Sequence, residues 1–206
     1  MRFIVADDHS IVRMGLRLML EADYPHVIID EVENGNDLIE KVKHHQYDLL
    51  ILDFQLPNTD TFNIVSNLLA RDATMKILMY SMVAEKVYAP KLFKAGVKGF
   101  LSKESPNTEL LKAVGIILRG GIVASDRAYL DSGDDQEKST NPFTSLSNKE
   151  LDILAYLIQG KTTKEMSTLL NLQVSTVSTH KFRIFRKLNV ESIVELIALT
   201  KEYPLF

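Results

Sequence analysis

The sequence contains no cysteine among its 206 residues. It can therefore form no disulfide framework, no thiolate metal site and no cysteine nucleophile. It also lacks any apolar run close to the ~20 residues that would span a bilayer. The first ten residues, MRFIVADDHS, reach acidic positions after only a few apolar ones, so they lack the long apolar segment of a secretory signal. We expect a cytoplasmic protein with no membrane partner.

A strong excess of one charge is missing as well, since the formal net charge is −3. That small total conceals two regions of opposite sign. Residues 143–206 contain eight Lys or Arg and six Asp or Glu, whereas the first 142 residues contain sixteen and twenty-one. The average charge therefore does not exclude a nucleic-acid partner for one of the two regions.

The length fits two small domains better than one. Residues 125–142, SDRAYLDSGDDQEKSTNP, are polar and acidic and contain Gly133 and Pro142. This composition is typical of a linker, with one short helical turn expected at residues 126–130. We therefore predict a first domain over residues 1–124 and a second over residues 143–206.

In the first domain, short apolar runs alternate with segments of helical periodicity. The run LLIL at residues 49–52 is apolar without alternation, which is typical of a central parallel strand covered on both faces. The order predicts a (βα)₅, flavodoxin-like α/β fold, in which functional groups lie at the carboxyl ends of the strands. The predicted strands are residues 3–6, 27–32, 49–52, 77–80 and 99–101, and the predicted helices are residues 10–22, 35–45, 61–71, 85–95 and 107–119.

The second domain shows four helical stretches and no strand signal, so we predict a smaller all-α domain. Ser147 with Glu150, and Thr162 with Glu165, have the spacing of capping boxes and mark two helix starts. A third helix is expected over residues 174–188 and a fourth over residues 192–202. The fourth is apolar on more than one face, which suggests both a small core and a partner.

Three carboxylates follow predicted strands at one edge of the sheet. Asp7 and Asp8 come after the first strand and Asp53 after the third, and these strands are neighbours in a doubly wound order. At ~4 Å and an effective dielectric constant of about 20, two such charges repel by roughly 4 kcal/mol. The cluster needs a counter-charge, which Mg²⁺ with its preference for oxygen ligands can supply.

Two further groups end strands at the same edge. Lys103 follows the fifth strand and Ser81 ends the fourth. Carboxylates, a metal, an ammonium and a hydroxyl are the groups needed to place a phosphoryl group on an aspartate, with Asp53 as nucleophile. Each residue alone also fits a helix cap, a turn or a solvated loop. The combination favours the phosphoacceptor site.

Over about residues 1–124 the chain resembles the receiver domain of response regulators. The matching segments are Asp7–Asp8, LLILDFQLP, ILMYS and KAGVKGFLSK. The resemblance implies that Asp53 is the phosphoacceptor and that a sensor histidine kinase is the donor. It implies Mg²⁺ as cofactor, with the ligands Asp7, Asp8, Asp53 and the backbone carbonyl of Gln55.

The same resemblance implies that Ser81 and Lys103 bind phosphoryl oxygens and that Phe100 is an aromatic switch, although Phe100 equally fits a plain core position. Two residues depart from the family pattern. Thr61 stands where Gly is common, so we expect a different loop shape after the acceptor. Met82 stands where a small residue is usual, so we expect narrower access to Asp53.

The segment 174–188 carries four cations and no acid. Helical periodicity places Val177, Ile184 and Leu188 on a buried stripe. The opposite face is polar and cationic and bears Phe182, which suits the DNA major groove, although a solvated basic face is the alternative. Residues 146–190 read LSNKELDILAYLIQGKTTKEMSTLLNLQVSTVSTHKFRIFRKLNV and include Leu146, Glu150, Gly160, Lys164, Glu165, Thr176, Val177, His180, Ile184, Lys187 and Leu188. Through these positions residues 143–206 resemble the LuxR/NarL-type helix-turn-helix. The resemblance and the charge pattern together predict these DNA contacts: Val174, Ser175, Thr176, Ser178, Thr179, Phe182, Arg183, Arg186 and Lys187.

The sequence as a whole is identified as a two-component response regulator of the NarL/FixJ type. The resemblance implies double-stranded DNA as a partner and a homodimer when active, paired either through the first and fifth helices or through the fourth helix and fifth strand. We expect no enzymatic turnover. Two alternatives are a DNA-binding regulator independent of phosphorylation and, with less support, a phosphatase with an aspartyl nucleophile.

Overall fold

Strands and helices alternate through the N-terminal part of the computed structural model, which describes residues 1–57, 59–83, 85–125 and 141–203. The chain divides into two compact units, Met1–Ser132 and Gly133–Phe206. The helical turn predicted at residues 126–130, and most of the predicted linker, lie outside the described residues. No helix in the described part of the chain has both the length and the apolar character needed to cross a membrane.

The first unit confirms the predicted (βα)₅ order and the α/β fold class. Its strands are β1 (Arg2–Ala6), β2 (Ile28–Val32), β3 (Leu49–Leu52), β4 (Ile77–Ser81) and β5 (Gly99–Ser102). Its helices are α1 (Ser10–Asp23), α2 (Gly35–His44), α3 (Thr61–Arg71), α4 (Glu85–Ala95) and α5 (Asn107–Leu118).

The sheet is parallel, with the order β2-β1-β3-β4-β5. All four residues of β3 are buried, as the uninterrupted apolar run predicts. The strand register pairs Ala6 with Leu52, and Ser81 with Ser102. The residues that follow β1, β3 and β5 therefore emerge at one edge together with the end of β4.

The segment after α5 extends the sheet in a way that the sequence analysis did not predict. Val123 forms an isolated parallel bridge with Gly99. The Phe100 N–H donates to the Val123 carbonyl at 3.0 Å, and the Val123 N–H donates to the Lys98 carbonyl at 2.9 Å. The Ser125 N–H then donates to the Glu85 carboxylate at 2.9 Å. The first residues after α5 are thus bound to β5 and to the start of α4.

In the second unit, a short 3₁₀ helix, Pro142–Ser145, precedes the four predicted α-helices. The 3₁₀ helix begins at a residue that the sequence analysis assigned to the linker. The α-helices are α6 (Asn148–Ile158), α7 (Thr163–Leu169), α8 (Val174–Leu188) and α9 (Ile193–Glu202). Both capping boxes are formed, because each cap side chain and its glutamate bond reciprocally.

The start of α8 differs from those of α6 and α7. Gln173 occupies the cap position and, among the described residues, makes no capping hydrogen bond with its side chain. Glutamine is a poor cap because its longer side chain does not fold back onto the first turn as Ser or Thr does. On the helix itself, Val177, Ile184 and Leu188 are buried, which confirms the predicted stripe.

Candidate functional site

The strand register brings the predicted carboxylates to one edge of the sheet. Asp7 and Asp53 are almost fully buried, whereas about a third of the Asp8 side chain is exposed. The Asp53 N–H donates to the Ala6 carbonyl at 2.8 Å, which holds the end of β3 against the end of β1. One ligand atom from each of Asp7, Asp8, His9 and Asp53 lies within 4.8 Å of all the others.

Lys103 supplies the positive charge inside this cluster. Its Nζ lies 2.6 Å from Asp7 Oδ2 and 2.7 Å from Asp53 Oδ2, and the side chain is only 11% exposed. Burial favours loss of the Lys103 proton, but the charge of Asp53 and the hydrogen bonds to Asp53 and Asp7 outweigh it. The pKa of Lys103 is raised as a result, so the ammonium stays charged beside the two carboxylates.

Ser81 contacts the other oxygen of the same aspartate. Its hydroxyl donates to Asp53 Oδ1 at 2.6 Å, in a fully buried position. The Gln55 N–H donates to Asp53 Oδ1 at a longer distance, 3.3 Å. Each oxygen of the Asp53 carboxylate is therefore approached by a hydrogen-bond donor from a different strand end.

The donor set of the cluster fits a hard divalent cation. Three carboxylates converge and one of them, Asp8, faces solvent, so a bound cation could retain water ligands there. Sequence reasoning did not single out His9. Its ring Nδ1 lies 2.7 Å from Asp8 Oδ1, and its backbone N–H donates to Asp7 Oδ1 at 2.9 Å. The adjacency of His9 to the acidic pair was the available signal.

The predicted switch residue, Phe100, lies on β5, and the two residues that depart from the family pattern lie at the start of α3 and directly after β4. Phe100 is buried on β5. Thr61, the first residue of α3, is also buried, and its hydroxyl donates to the Phe54 carbonyl at 2.5 Å. This bond joins the start of α3 to the residue after Asp53 with a contact that glycine could not make. Met82 is nearly half exposed, and its effect on access to Asp53 stays a prediction.

Helix α8 presents the predicted cationic face in the second unit. Phe182 is 63% exposed, and Arg183 and Arg186 are exposed beside it. The hydroxyls of Ser178 and Thr179 donate to carbonyls one turn earlier in the helix, at 3.0 and 2.9 Å. Their oxygens keep lone pairs that can accept hydrogen bonds. The remaining predicted contacts also lie on α8: Val174, Ser175, Thr176 and Lys187.

Lys187 makes a contact that the sequence analysis did not predict. Its Nζ lies 2.6 Å from Oε2 of the buried Glu150 and donates to the Ser145 carbonyl at 3.3 Å. Burial raises the pKa of Glu150, but hydrogen bonds from Lys187 and Ser147 outweigh that effect and hold it below its usual range. Lys187 thus joins α8 to the start of α6, and its predicted role at a DNA phosphate stays a prediction.

Fold and site together define the class of protein. A doubly wound domain holds aspartates, a lysine and a serine at the carboxyl edge of its sheet, and a helix-turn-helix unit with a cationic helix follows in the same chain. Residues 3–115 match the response regulator receiver domain, and residues 144–200 match the luxR family of bacterial regulatory proteins.

Relatives match along nearly the whole chain. The Fimbriae Z protein of Salmonella typhimurium is 34% identical over 203 residues, which cover 98% of this chain and 97% of the relative. The response regulator UvrY of Escherichia coli is 31% identical over 205 residues, which cover 98% and 94%. The chain therefore belongs to the response-regulator family, with a receiver domain and a LuxR-type DNA-binding domain, which confirms the predicted class.

A solved structure supports the fold over both domains. RcsB from Salmonella enterica serovar Typhimurium, bound to promoter P1flhDC in the presence of the phosphomimetic BeF3-, matches with a TM-score of 0.76 at 24% identity. The match covers 98% of each chain. At this identity the likeness establishes the shared fold.

Proposed function

We propose that this chain is a transcriptional regulator whose DNA binding is controlled by Mg²⁺-dependent phosphorylation of Asp53, with a sensor histidine kinase as donor. One observation carries the proposal. The Ser81 hydroxyl and the Lys103 ammonium each contact a different oxygen of Asp53, although 28 and 50 residues separate them from it in sequence. A structural ion pair would need neither the hydroxyl nor the additional carboxylates.

The geometry gives each residue a chemical task. An oxygen of Asp53 forms the bond to phosphorus as the bond from phosphorus to the donor imidazole breaks. Lys103 neutralises charge on the transferred group, and the Ser81 hydroxyl donates to one of its oxygens. Mg²⁺, held by Asp7, Asp8, Asp53 and the Gln55 carbonyl, supplies further positive charge when bound.

Phosphorylation would reach the linker through the end of β4. When Ser81 turns from Asp53 to the phosphoryl group, the loop after β4 shifts and Phe100 moves with it. Two hydrogen bonds support this route, since Glu85 accepts from Ser125 and the Phe100 N–H donates to Val123. We assign residues 125–142 as linker, which the matched domains at residues 3–115 and 144–200 support.

The DNA-binding surface is the exposed face of α8. Ser178, Thr179 and Phe182 lie where a major-groove helix contacts base edges, and they suit thymine methyl groups and single hydrogen bonds. Arg183 and Arg186 are placed for phosphates, with Val174, Ser175 and Thr176 near the backbone at the helix start and Lys187 near its end. RcsB, which shares the fold, binds promoter DNA. If all four cations of α8 contacted phosphates in both protomers of a dimer, namely Lys181, Arg183, Arg186 and Lys187, these eight charges would give a log–log salt slope of about −7 at most in magnitude.

The receiver carries an exposed apolar stripe that supports pairing through α1. Ile11, Met14 and Leu18 are 72%, 54% and 61% exposed, and their spacing places them on one face of the helix. In α4, by contrast, Val87, Tyr88, Ala89 and Leu92 are all buried. Among the described residues, the larger apolar surface is therefore on α1, which favours the first of the two predicted dimers.

Mass spectrometry and DNA titration test the proposal together. Acetyl phosphate with Mg²⁺ should add one phosphoryl group to the wild type and none to Asp53→Asn. Beryllofluoride should then tighten binding to a DNA fragment selected from a random library by the wild type. Phosphorylation without any change in DNA affinity would support the phosphorylation-independent regulator. Hydrolysis of a generic phosphate ester beyond one equivalent would support the phosphatase.

A further inference from the structure

The side chain of Arg13 joins α1 to the loop that carries the acidic pair. Its Nη1 donates to the backbone carbonyl of Asp7 at 2.6 Å, and the side chain is only 13% exposed. The same guanidinium lies 3.3 Å from a Glu31 oxygen and 3.7 Å from a Glu33 oxygen. These glutamates at the end of β2 hold the fork of Arg13 in one orientation.

The acceptor of this bond is the peptide group between Asp7 and Asp8. Since that group is planar, a bond that holds its carbonyl also restrains the Cα atoms of Asp7 and Asp8, from which the two carboxylate side chains branch. A second bond fixes the other side of Asp7, because its N–H donates to the Val32 carbonyl at 3.1 Å. The bond from a guanidinium is charge-assisted and therefore stronger than one between neutral groups.

We propose that Arg13 is a positioning residue for the divalent cation, acting through the Asp7 carbonyl, and this inference rests on the function proposed above. Arg13 has two opposite effects on a cation at Asp7 and Asp8. Its positive charge repels the cation, whereas its hydrogen bond orients the ligands. Removal of the side chain therefore weakens Mg²⁺ binding if orientation dominates and tightens it if charge dominates.

Arg17 provides a matched control one turn further along α1. It lies 2.6 Å from the other oxygen of Glu31, and it donates to the carbonyl of Ile29, within β2, at 3.2 Å. The two arginines therefore share a glutamate and a type of backbone contact. They differ in the carbonyl that they bond: Arg13 donates to Asp7, in the loop with the acidic pair, whereas Arg17 donates to Ile29 in β2.

The test is an Mg²⁺ titration of the full chain. NMR signals of the backbone amides at residues 7–9 and 53–55 report the binding. Loss of an outer hydrogen-bond partner typically weakens metal binding by about 10- to 100-fold. We expect Arg13→Met to raise the Mg²⁺ dissociation constant by roughly 10-fold, and Arg17→Met to change it less than about twofold. Urea unfolding of both variants checks that a lower Mg²⁺ affinity is not caused by a lower stability of the folded protein.

Arg13→Lys and Arg17→Lys form a second pair, in case removal of the whole side chain prevents folding. Lysine keeps the charge but cannot bond the Asp7 carbonyl and Glu31 with one rigid fork. We expect weaker Mg²⁺ binding in Arg13→Lys than in Arg17→Lys. Equal affinities in the two variants, or tighter binding in Arg13→Met than in the wild type, would overturn the positioning role. Absence of saturable Mg²⁺ binding in the wild type would instead overturn the proposed function along with it.

Discussion

The proposed phosphoacceptor site and the proposed DNA-binding face differ in how far their polar groups are enclosed. At the first, Asp7, Asp53 and Ser81 are buried, and Lys103 bridges both carboxylates. At the second, Phe182 and its arginine neighbours are exposed, and the hydroxyls of Ser178 and Thr179 donate to carbonyls of their own helix.

This difference predicts how each surface responds to substitution. Residues that share one network show strongly coupled effects, whereas separated residues without common partners contribute nearly additively. A single change at the receiver site should therefore impair the whole site. Changes on the outer face of α8 should be small and should add. The following substitutions test that contrast, starting with the largest expected effect.

Lys103→Met should nearly abolish phosphorylation. The substitution leaves Asp7 and Asp53 buried without their shared counter-charge and removes a donor from the transferred group. Loss of one such electrostatic contact costs about 10²- to 10³-fold in rate. The measurement is the initial rate of phosphorylation by acetyl phosphate at saturating Mg²⁺. Lys98→Met is the control and should retain the wild-type rate, because the backbone of Lys98 bonds to the sheet and its side chain makes no hydrogen bond or ion pair among the described residues.

Lys187→Met should destabilise the second domain, because it leaves the buried Glu150 without its cationic partner. An unpaired buried acceptor costs roughly 1–3 kcal/mol, and the partial exposure of Lys187 argues against a larger value. Because the pKa of Glu150 is held below its usual range, this contribution is present above that range and is lost as pH falls through the lowered pKa.

Urea unfolding at several pH values measures this effect. The variant should lose stability at neutral pH and converge with the wild type in acid. Arg186→Met removes another cation from the same helix. Arg186 has no buried partner among the described residues, so the unfolding free energy of this variant should be nearly that of the wild type. An equal loss in both variants would mean that the Glu150 contact contributes little.

Asp30→Asn should destabilise the first domain through a different polar cluster. Burial raises the pKa of Asp30, but hydrogen bonds from Arg2, Tyr47 and Lys41 together lower it to about 2. A folded-state pKa below the unfolded value means stability that is present above about pH 4 and lost as pH falls toward about 2. The contribution at neutral pH is roughly 2 kcal/mol. Thermal unfolding of the variant should show a weaker dependence on pH across that window.

Much of the fold could be predicted because its signals are local. The run at residues 49–52 is apolar at every position because β3 is covered on both faces. Ser147 and Thr162 mark helix starts because each can bond to an amide three residues later. These assignments also located the ends of the strands. Because parallel strands end at the same edge of the sheet, the convergence of Asp7, Asp53, Ser81 and Lys103 could be predicted as well.

Contacts between distant residues without a periodic signal could not be predicted. Val123 bridges β5 at a single residue, which is too short for any strand pattern. Lys187 belongs to a run of cations, and nothing in that run distinguishes the ammonium that meets Glu150 from those that face solvent. Arg13 could not be singled out from the sequence, because its bond to the Asp7 carbonyl depends on where α1 lies beside the loop after β1.

Phe182→Ala should give the smallest change in free energy, and the change should be confined to DNA binding by the proposed face of α8. The side chain is 63% exposed, so its loss should leave the unfolding free energy nearly unchanged. If it contacts a thymine methyl group, affinity for the preferred DNA falls by roughly 1 kcal/mol, or about fivefold, with little loss on unrelated DNA. Fluorescence anisotropy on both DNAs over a range of salt concentrations measures this. The salt slope should not change, because no charge is removed.

Arg186→Gln provides the opposite pattern on the same helix. A residue that contacts phosphate should weaken binding to both DNAs alike and reduce the magnitude of the salt slope by about 1 for each protomer bound. If the two substitutions act on separate contacts, their free-energy changes should add in the double variant. A strongly non-additive result, like that expected for Lys103 with Asp53, would mean that the exposed face of α8 also works as one coupled network.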